Sequence, residues 1–340
     1  VALLVPRGSG SGSDDLLAQS IENAARLAMR DLGDVKIDLR VYATAGNAQT
    51  AATQASLSVS DGAQIILGPV YAEAANAAAA AVADQNVNIL SFSNNTAIAG
   101  GNVFVLGQTF QNTANRMISF AKSQGKDRIV IAHANDVAGQ LGRNAIQSAI
   151  FSNGVTLASA VDYPLSQDGV VAAIPRIKAA VDDGNANAVF MTSPSASALP
   201  LLTQLLPEAG VSPATSKFIG LTRWDIPAQT LDLPGVQGGW FAVPDPASTG
   251  AFRSQYDAAY GGQPHPIGSL AFDGMAAIGA LIKSGKSDPL STAAITQGAG
   301  FKGANGVFRL LADGTNERGL AIATIRDKKV VIIHNAPTGF

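Results

Sequence analysis

Between residues 14 and 32 the apolar positions Leu17, Ile21, Ala24, Ala28 and Leu32 recur at the spacing of one helix face. Asp14 and Asp15 stand at the start and Gly33 just past the end, so the pattern predicts a capped amphipathic helix. Before it, residues 1–5 are almost continuously apolar, as in a strand buried on both faces. After it, residues 36–43 alternate, with Ile37, Leu39 and Val41 against polar neighbours, until Gly46 and Asn47 break the run before an Ala/Gln-rich helix to about residue 60. Short apolar runs at 64–67, 87–90 and 103–106 read as further strands, with an Ala-rich helix over 71–85. The same grammar then repeats. Strands are predicted at 128–133, 155–161, 188–192 and 217–220, and helices over 139–152, 170–183 and up to about residue 209. Alternating strands and helices of these lengths imply parallel sheets covered on both faces, and the duplication implies two lobes.

Beyond a strand at 239–243, helices are expected over 247–260, 269–283 and 290–297. A hairpin at 320–325 and 330–333, turning through Arg326-Asp327-Lys328-Lys329, ends the pattern. The chain is therefore expected to cross between lobes more than once. The opening admits two readings, because Leu4-Val5-Pro6-Arg7-Gly8-Ser9 spells a common thrombin linker and residues 8–13 resemble a Gly/Ser spacer. Either the protein begins near Asp14, or residues 1–5 are a first strand followed by a Gly-rich turn into a helix. The strand and helix order downstream favours the second.

Composition narrows the function classes. Of 340 residues 47% are apolar and 14% charged, well under the roughly 25% of an average chain, so apolar packing rather than surface ion pairing must supply stability. The formal net charge is −2 and the 23 basic residues are scattered, which speaks against nucleic acid as a partner. The longest apolar stretch, around residues 77–83, falls far short of the roughly 18 residues of a membrane span. Without a cysteine, these residues hold no disulfide, thiolate metal site or cysteine nucleophile.

Candidate chemistry is sparse. Gly8, Gly10 and Gly12 are spaced G-x-G-x-G, with Ser13 where a dinucleotide fingerprint needs its third glycine. The second strand also ends in Tyr42-Ala43-Thr44, without an acid for a ribose hydroxyl, so no cofactor is expected. His133, His265 and His334 lie far apart, which gives no metal site, and Asp14/Asp15 and Asp182/Asp183 mark helix ends. With no G-x-S-x-G, H-E-x-x-H or Walker loop, no catalytic residue is predicted and the chain does not read as an enzyme.

What remains is a set of polar loops after strand carboxyl ends, where open parallel sheets present ligand sites. The first lobe offers Arg7, Tyr71, Ser93, Asn94, Asn95 and Thr96. The second offers Asn135, Asp136, Thr192, Ser193, Thr222, Arg223 and Trp224. Any single Ser, Thr or Asn among them could serve only as a helix cap. The ligand-binding set predicted is Arg7, Tyr71, Ser93, Asn94, Asn95, Thr96, Asp136, Ser193, Arg223 and Trp224, with Arg223 aimed at an anionic or carbonyl group and Tyr71 and Trp224 at a flat or apolar one.

Gly68-Pro69 after a buried strand, Ile89-Leu90-Ser91, the strand at 129–133, and Phe301-x-Gly303-x-x-Gly306-x-Phe308 followed by Asp313-Gly314 carry a resemblance over nearly the whole chain. It is to the type I periplasmic solute-binding proteins of the leucine/isoleucine/valine-binding family. The resemblance implies an α/β fold of two Rossmann-like lobes with parallel sheets, three crossovers and a central cleft, the crossovers falling near Gly107, near Val243 and between Asn305 and Asp313. The lobes would then be residues 1–107 plus 244–305 and residues 108–243 plus 306–340. It further implies a periplasmic monomer that delivers a small polar ligand, an amino acid, a derivative of one or an organic acid, to a membrane ABC permease. The family's tyrosine and acid for an amino-acid ligand fall at about Ala138 and Thr222, so only Ser93 to Thr96 keep its pattern. The segment Trp240 to Pro246, with Gly220 to Trp224, also resembles the binding-protein-like domain of lipoprotein activators of penicillin-binding proteins. There the fold would act as a docking scaffold for a penicillin-binding protein, with any lipid anchor upstream of Val1. Both readings stand at this point.

Overall fold

In the computed structural model, which describes residues 1–340, the apolar opening run is strand β1 (Ala2–Val5), buried at every position. The Gly-rich turn after it leads into α1 (Gly12–Arg30), whose first-turn Asp14 and Asp15 complement the helix dipole. The chain continues through β2 (Arg40–Ala43), α2 (Ala48–Ser60), β3 (Ile65–Leu67), α3 (Ala72–Ala81), β4 (Asn88–Ser91) and β5 (Val103–Val105). These strands form one all-parallel sheet in the order β2-β1-β3-β4-β5. The period of two along β1 sorts its side chains: Leu3 and Val5 join one core, Ala2 and Leu4 the other. The alanines of α2 and α3 cover the second face, among them Ala51, Ala55, Ala74 and Ala78.

The chain then passes through α4 (Phe110–Ser123), β6 (Arg128–Ala134), α5 (Val137–Ser152), β7 (Thr156–Tyr163), α6 (Gln167–Asp183), β8 (Ala188–Met191), α7 (Leu199–Glu208), β9 (Lys217–Gly220) and β10 (Trp240–Pro244). It returns through α8 (Pro246–Tyr260), α9 (Gly268–Lys283), α10 (Thr292–Ile295), β11 (Phe301–Gly303), β12 (Gly306–Leu310) and β13 (Asn316–Arg318), and ends with the hairpin β14 (Leu320–Arg326) and β15 (Lys329–His334). Contacts divide the chain into two compact units. Unit 1 holds Val1–Thr109, Asp245–Gly319 and Pro337–Phe340; unit 2 holds Phe110–Pro244 and Leu320–Ala336.

In unit 1, α1 and α9 close the face of the sheet that β1 presents through Leu3 and Val5, with Leu17, Ile21, Met275 and Ile278 in the shared core. In unit 2 the sheet runs β15-β14-β10-β9-β8-β6-β7, parallel from β7 to β10 and antiparallel over the terminal hairpin. Helices α4 and α5 pack on Ile129 and Ile131 of β6, while α6 and α7 pack on Val130 and Ala132.

Three features depart from the sequence reading. Strand β2 starts only at Arg40, which pairs with Ala2, while Asp38 meets the opening of the chain through a single bond, its carbonyl accepting from Val1 N at 2.9 Å. The last predicted helix shrinks to the single turn of α10. Residues 301–318 form a small antiparallel sheet, β11-β12-β13, where a crossover was expected. That sheet groups residues 306–319 with unit 1 rather than with the second lobe. The physical reason is a buried clamp. Arg318 Nη1 lies 2.8 Å from Asp273 Oδ2 of α9, and its Nε donates to Leu106 O at 2.9 Å, while Asn316 Nδ2 donates to Val105 O and Gly107 O.

Candidate functional site

In unit 1 the chain runs from β1 outward to β2 and then returns to place β3 on the other side of β1, so the carboxyl ends of β1 and β3 form a topological switch point. Tyr71, in the loop after β3, donates from its hydroxyl to Asp14 Oδ1 at 2.6 Å and keeps 40% of its surface exposed. That bond to a carboxylate, with burial second, pushes the Tyr71 phenol up from its ordinary value. Arg7, in the loop after β1, is held by Glu22 at 3.0 Å, and Glu22 also takes Arg26 at 2.8 Å. Burial pushes the Glu22 carboxyl up, but the bonds from Arg26 and Arg7 outweigh it and hold the group below the usual carboxylate range.

The loop after β4 braces itself. Ser91 Oγ donates to Pro69 O at 3.0 Å and accepts from Ser93 N at 3.2 Å; Ser93 Oγ accepts from Asn95 N at 3.1 Å. Asn95 Oδ1 in turn accepts from Ala97 N at 3.0 Å, and Ser93 O from Gly107 N. Ser93 is thereby buried as a turn former, whereas Asn94, Asn95 and Thr96 present exposed side chains.

In unit 2 the corresponding switch point lies between β6 and β8. Asp136 caps α5, its Oδ1 accepting from Gly139 N at 2.7 Å, and is exposed. Ser193, after β8, is buried with its hydroxyl bonded to that of Tyr163, and its carbonyl accepts from Thr222 Oγ1 at 3.2 Å. Burial pushes the Tyr163 phenol up, the bond with Ser193 opposes this, and the nearby Asp136 carboxylate adds to it.

One expectation is corrected here. Trp224 is wholly buried, stacked on Phe241 at 6.2 Å between ring centroids. Its ring lies over Gly220 and Gly239, where any Cβ would collide with it, so it belongs to the hydrophobic core and offers no face to a ligand. Arg223 is clamped by Asp225, Nε to Oδ1 at 2.9 Å and Nη2 to Oδ2 at 2.5 Å. This bidentate pair offsets the guanidinium charge within its own loop.

Tyr71 and Arg7 thus meet around the β1/β3 switch point, each with a carboxylate of α1, and Asp136, Ser193 and Thr222 gather about the β6/β8 one. Tyr163 escaped the sequence reading because the predicted strand stopped at residue 161. Its signal would have been the continued alternation of Val161 and Tyr163, both buried, against exposed Asp162.

The family profile described as periplasmic binding protein matches residues 1–329, and the chain belongs to that family. No curated protein sequence matches it. Among solved structures, a candidate branched-chain amino acid ABC transporter protein from Rhodospirillum rubrum is similar at a TM-score of 0.81 and 17% identity, over 98% of each chain. A substrate-binding protein of an ABC transporter from Desulfitobacterium hafniense, solved with Leu, is similar at a TM-score of 0.67 and 16% identity, over 98% of this chain and 99% of that one. A solute-binding protein from Rhodopseudomonas palustris BisB5, solved with 3,4-dihydroxybenzoic acid, is similar at a TM-score of 0.62 and 18% identity, over 100% of this chain and 96% of that one.

Proposed function

We propose that this chain is the periplasmic solute receptor of an ABC transport system, binding a small organic molecule without chemistry and handing it to a membrane permease as a monomer. The observation that carries the reading is membership of the periplasmic binding protein family over residues 1–329. Polar side chains on loops after parallel strands support it: exposed Tyr71, Asn94, Asn95 and Thr96 in unit 1, exposed Asp136 and half-buried Thr222 in unit 2. The solutes of similar proteins, Leu in one and 3,4-dihydroxybenzoic acid in another, set the class to screen: amino acids and aromatic acids. Because Arg7 and Arg223 are both paired with carboxylates, hydroxyl and amide groups rather than a free guanidinium carry recognition in this reading. No observation favours the docking-scaffold alternative.

A thermal-shift screen against amino acids, benzoate and 3,4-dihydroxybenzoate tests the proposal. A ligand at 100 times its dissociation constant adds about 2.7 kcal/mol of stability and raises the melting temperature. A shift from one chemical class supports a receptor and names its substrate class, whereas a flat response to the whole screen sinks it.

A further inference from the structure

We infer that Tyr163 is the positioning residue of the unit 2 binding loops, an inference that rests on the receptor reading above. Tyr163 ends β7, an edge strand, yet it is among the largest wholly buried side chains of the protein. It reaches two loops directly and a third through Ser193. Its carbonyl accepts from Asn135 N at 2.9 Å, which fixes the start of the loop carrying Asp136 after β6. Its hydroxyl bonds Ser193 Oγ in the loop after β8, with the Thr192 hydroxyl beside it. Ser193 passes the constraint on, since its carbonyl accepts from Thr222 Oγ1 at 3.2 Å in the loop after β9.

A buried phenol of this kind must find a polar partner, because an unpaired hydroxyl in an apolar core is costly. Around Tyr163 the partners lie in the loop after β8, so satisfying the phenol also sets the backbone of that loop. The loop at 192–195 is thereby held by the Tyr163 side chain and the loop at 222–223 through Ser193, while the loop at 135–136 is held by the Tyr163 carbonyl, and none of these links needs contact with solute.

The test is Tyr163→Phe, which keeps the ring and its packing and removes only the hydroxyl, read by two measurements. Hydrogen exchange of the free protein is expected to rise about five- to tenfold at amides of 192–195 and 222–223, the factor that corresponds to loss of one net hydrogen bond, with 135–136, held by the carbonyl that the substitution keeps, and the rest of the unit 2 sheet unchanged. For whichever of L-leucine, benzoate or 3,4-dihydroxybenzoate binds the wild-type protein, the dissociation constant is expected to rise by a similar factor. Ser193→Ala added to Tyr163→Phe should cost no more than either change alone, because both cut the same link.

Unchanged exchange at 192–195 and 222–223, or exchange raised evenly across unit 2, overturns the inference, as does an unchanged dissociation constant. If none of the three probes binds the wild-type protein, the receptor reading loses its support, while the exchange experiment still decides whether Tyr163 orders the loops.

Discussion

At the scale of single residues, the candidate side chains separate by what already holds them. Arg7 has the look of a ligand-binding cation, yet its guanidinium is one of two that converge on Glu22. The ion pair has a testable pH signature. Glu22 is held below its ordinary value, so the folded protein favours the carboxylate, and the resulting stability is fully present above about pH 4.3 and lost as pH falls through the lowered folded value. Removing one guanidinium with Arg7→Ala brings the folded value back up, at a cost of less than about 1 kcal/mol near pH 7 for so exposed a pair. Urea midpoints should therefore differ between the two proteins at pH 7 and draw together as the pH falls below about 4.3; a gap that does not narrow would mean that the Glu22 bond is not what Arg7 contributes. The same distinction explains what the sequence left unread. Residue types and their places after strands were legible, and Tyr71, Asp136 and the stretch Ser93 to Thr96 do lie in such loops. Whether a side chain was free was not: Asp225, two residues from Arg223, occupies it, and the glycines that make room for the Trp224 ring lie four residues before it and fifteen after it.

At the scale of elements, the strands and helices with long regular patterns were readable, whereas β11, β12 and β13 were not. Two of the three have only three residues, and Gly303 and Gly306 interrupt the alternation on which a strand reading depends. What stabilises this small sheet is not its pattern but the buried pair between Arg318 of β13 and Asp273 of α9, whose Oδ1 also accepts from Ala304 N at 2.6 Å. Both side chains are almost free of solvent, 4% and 0% exposed, so removing one partner leaves the other charge without compensation. Asp273→Asn is expected to lower stability by about 3–5 kcal/mol in denaturant titrations. Replacing both, as Asp273→Leu with Arg318→Met, should cost less than the two single changes added together, because no lone buried charge then remains. Additive losses would show that Arg318 acts through its bonds to Leu106 O alone.

At the scale of the whole molecule, the duplicated order of strands and helices predicted two lobes, and each unit does carry its own sheet and cores. The pattern does not show that each unit is assembled from separated stretches of chain. Unit 1 draws its sheet from residues 2–105, but much of one sheet face is covered by α9, more than 150 residues further on, through Ala271, Met275, Ile278 and Leu281. Hydrophobic periodicity is a local signal, so it marks α9 as a helix with an apolar face and says nothing of which strands will receive it. Folding has to close that long loop before the contacts repay the lost chain entropy. A fragment ending at Thr109 holds every strand of the unit 1 sheet and still lacks this cover. Each fully buried aliphatic side chain contributes about 1.5–3 kcal/mol, so exposing the strand residues that face α9 removes stability comparable to that of an entire domain. The fragment is therefore expected to bind a hydrophobic dye and to unfold without a cooperative transition, while the full chain unfolds cooperatively. Adding residues 245–319 as a separate chain should restore a cooperative transition, because that segment brings both α9 and the Arg318 clamp on Leu106. A fragment 1–109 that melts sharply on its own would show instead that α1 alone is cover enough, and that the return of the chain to unit 1 serves a purpose other than stability.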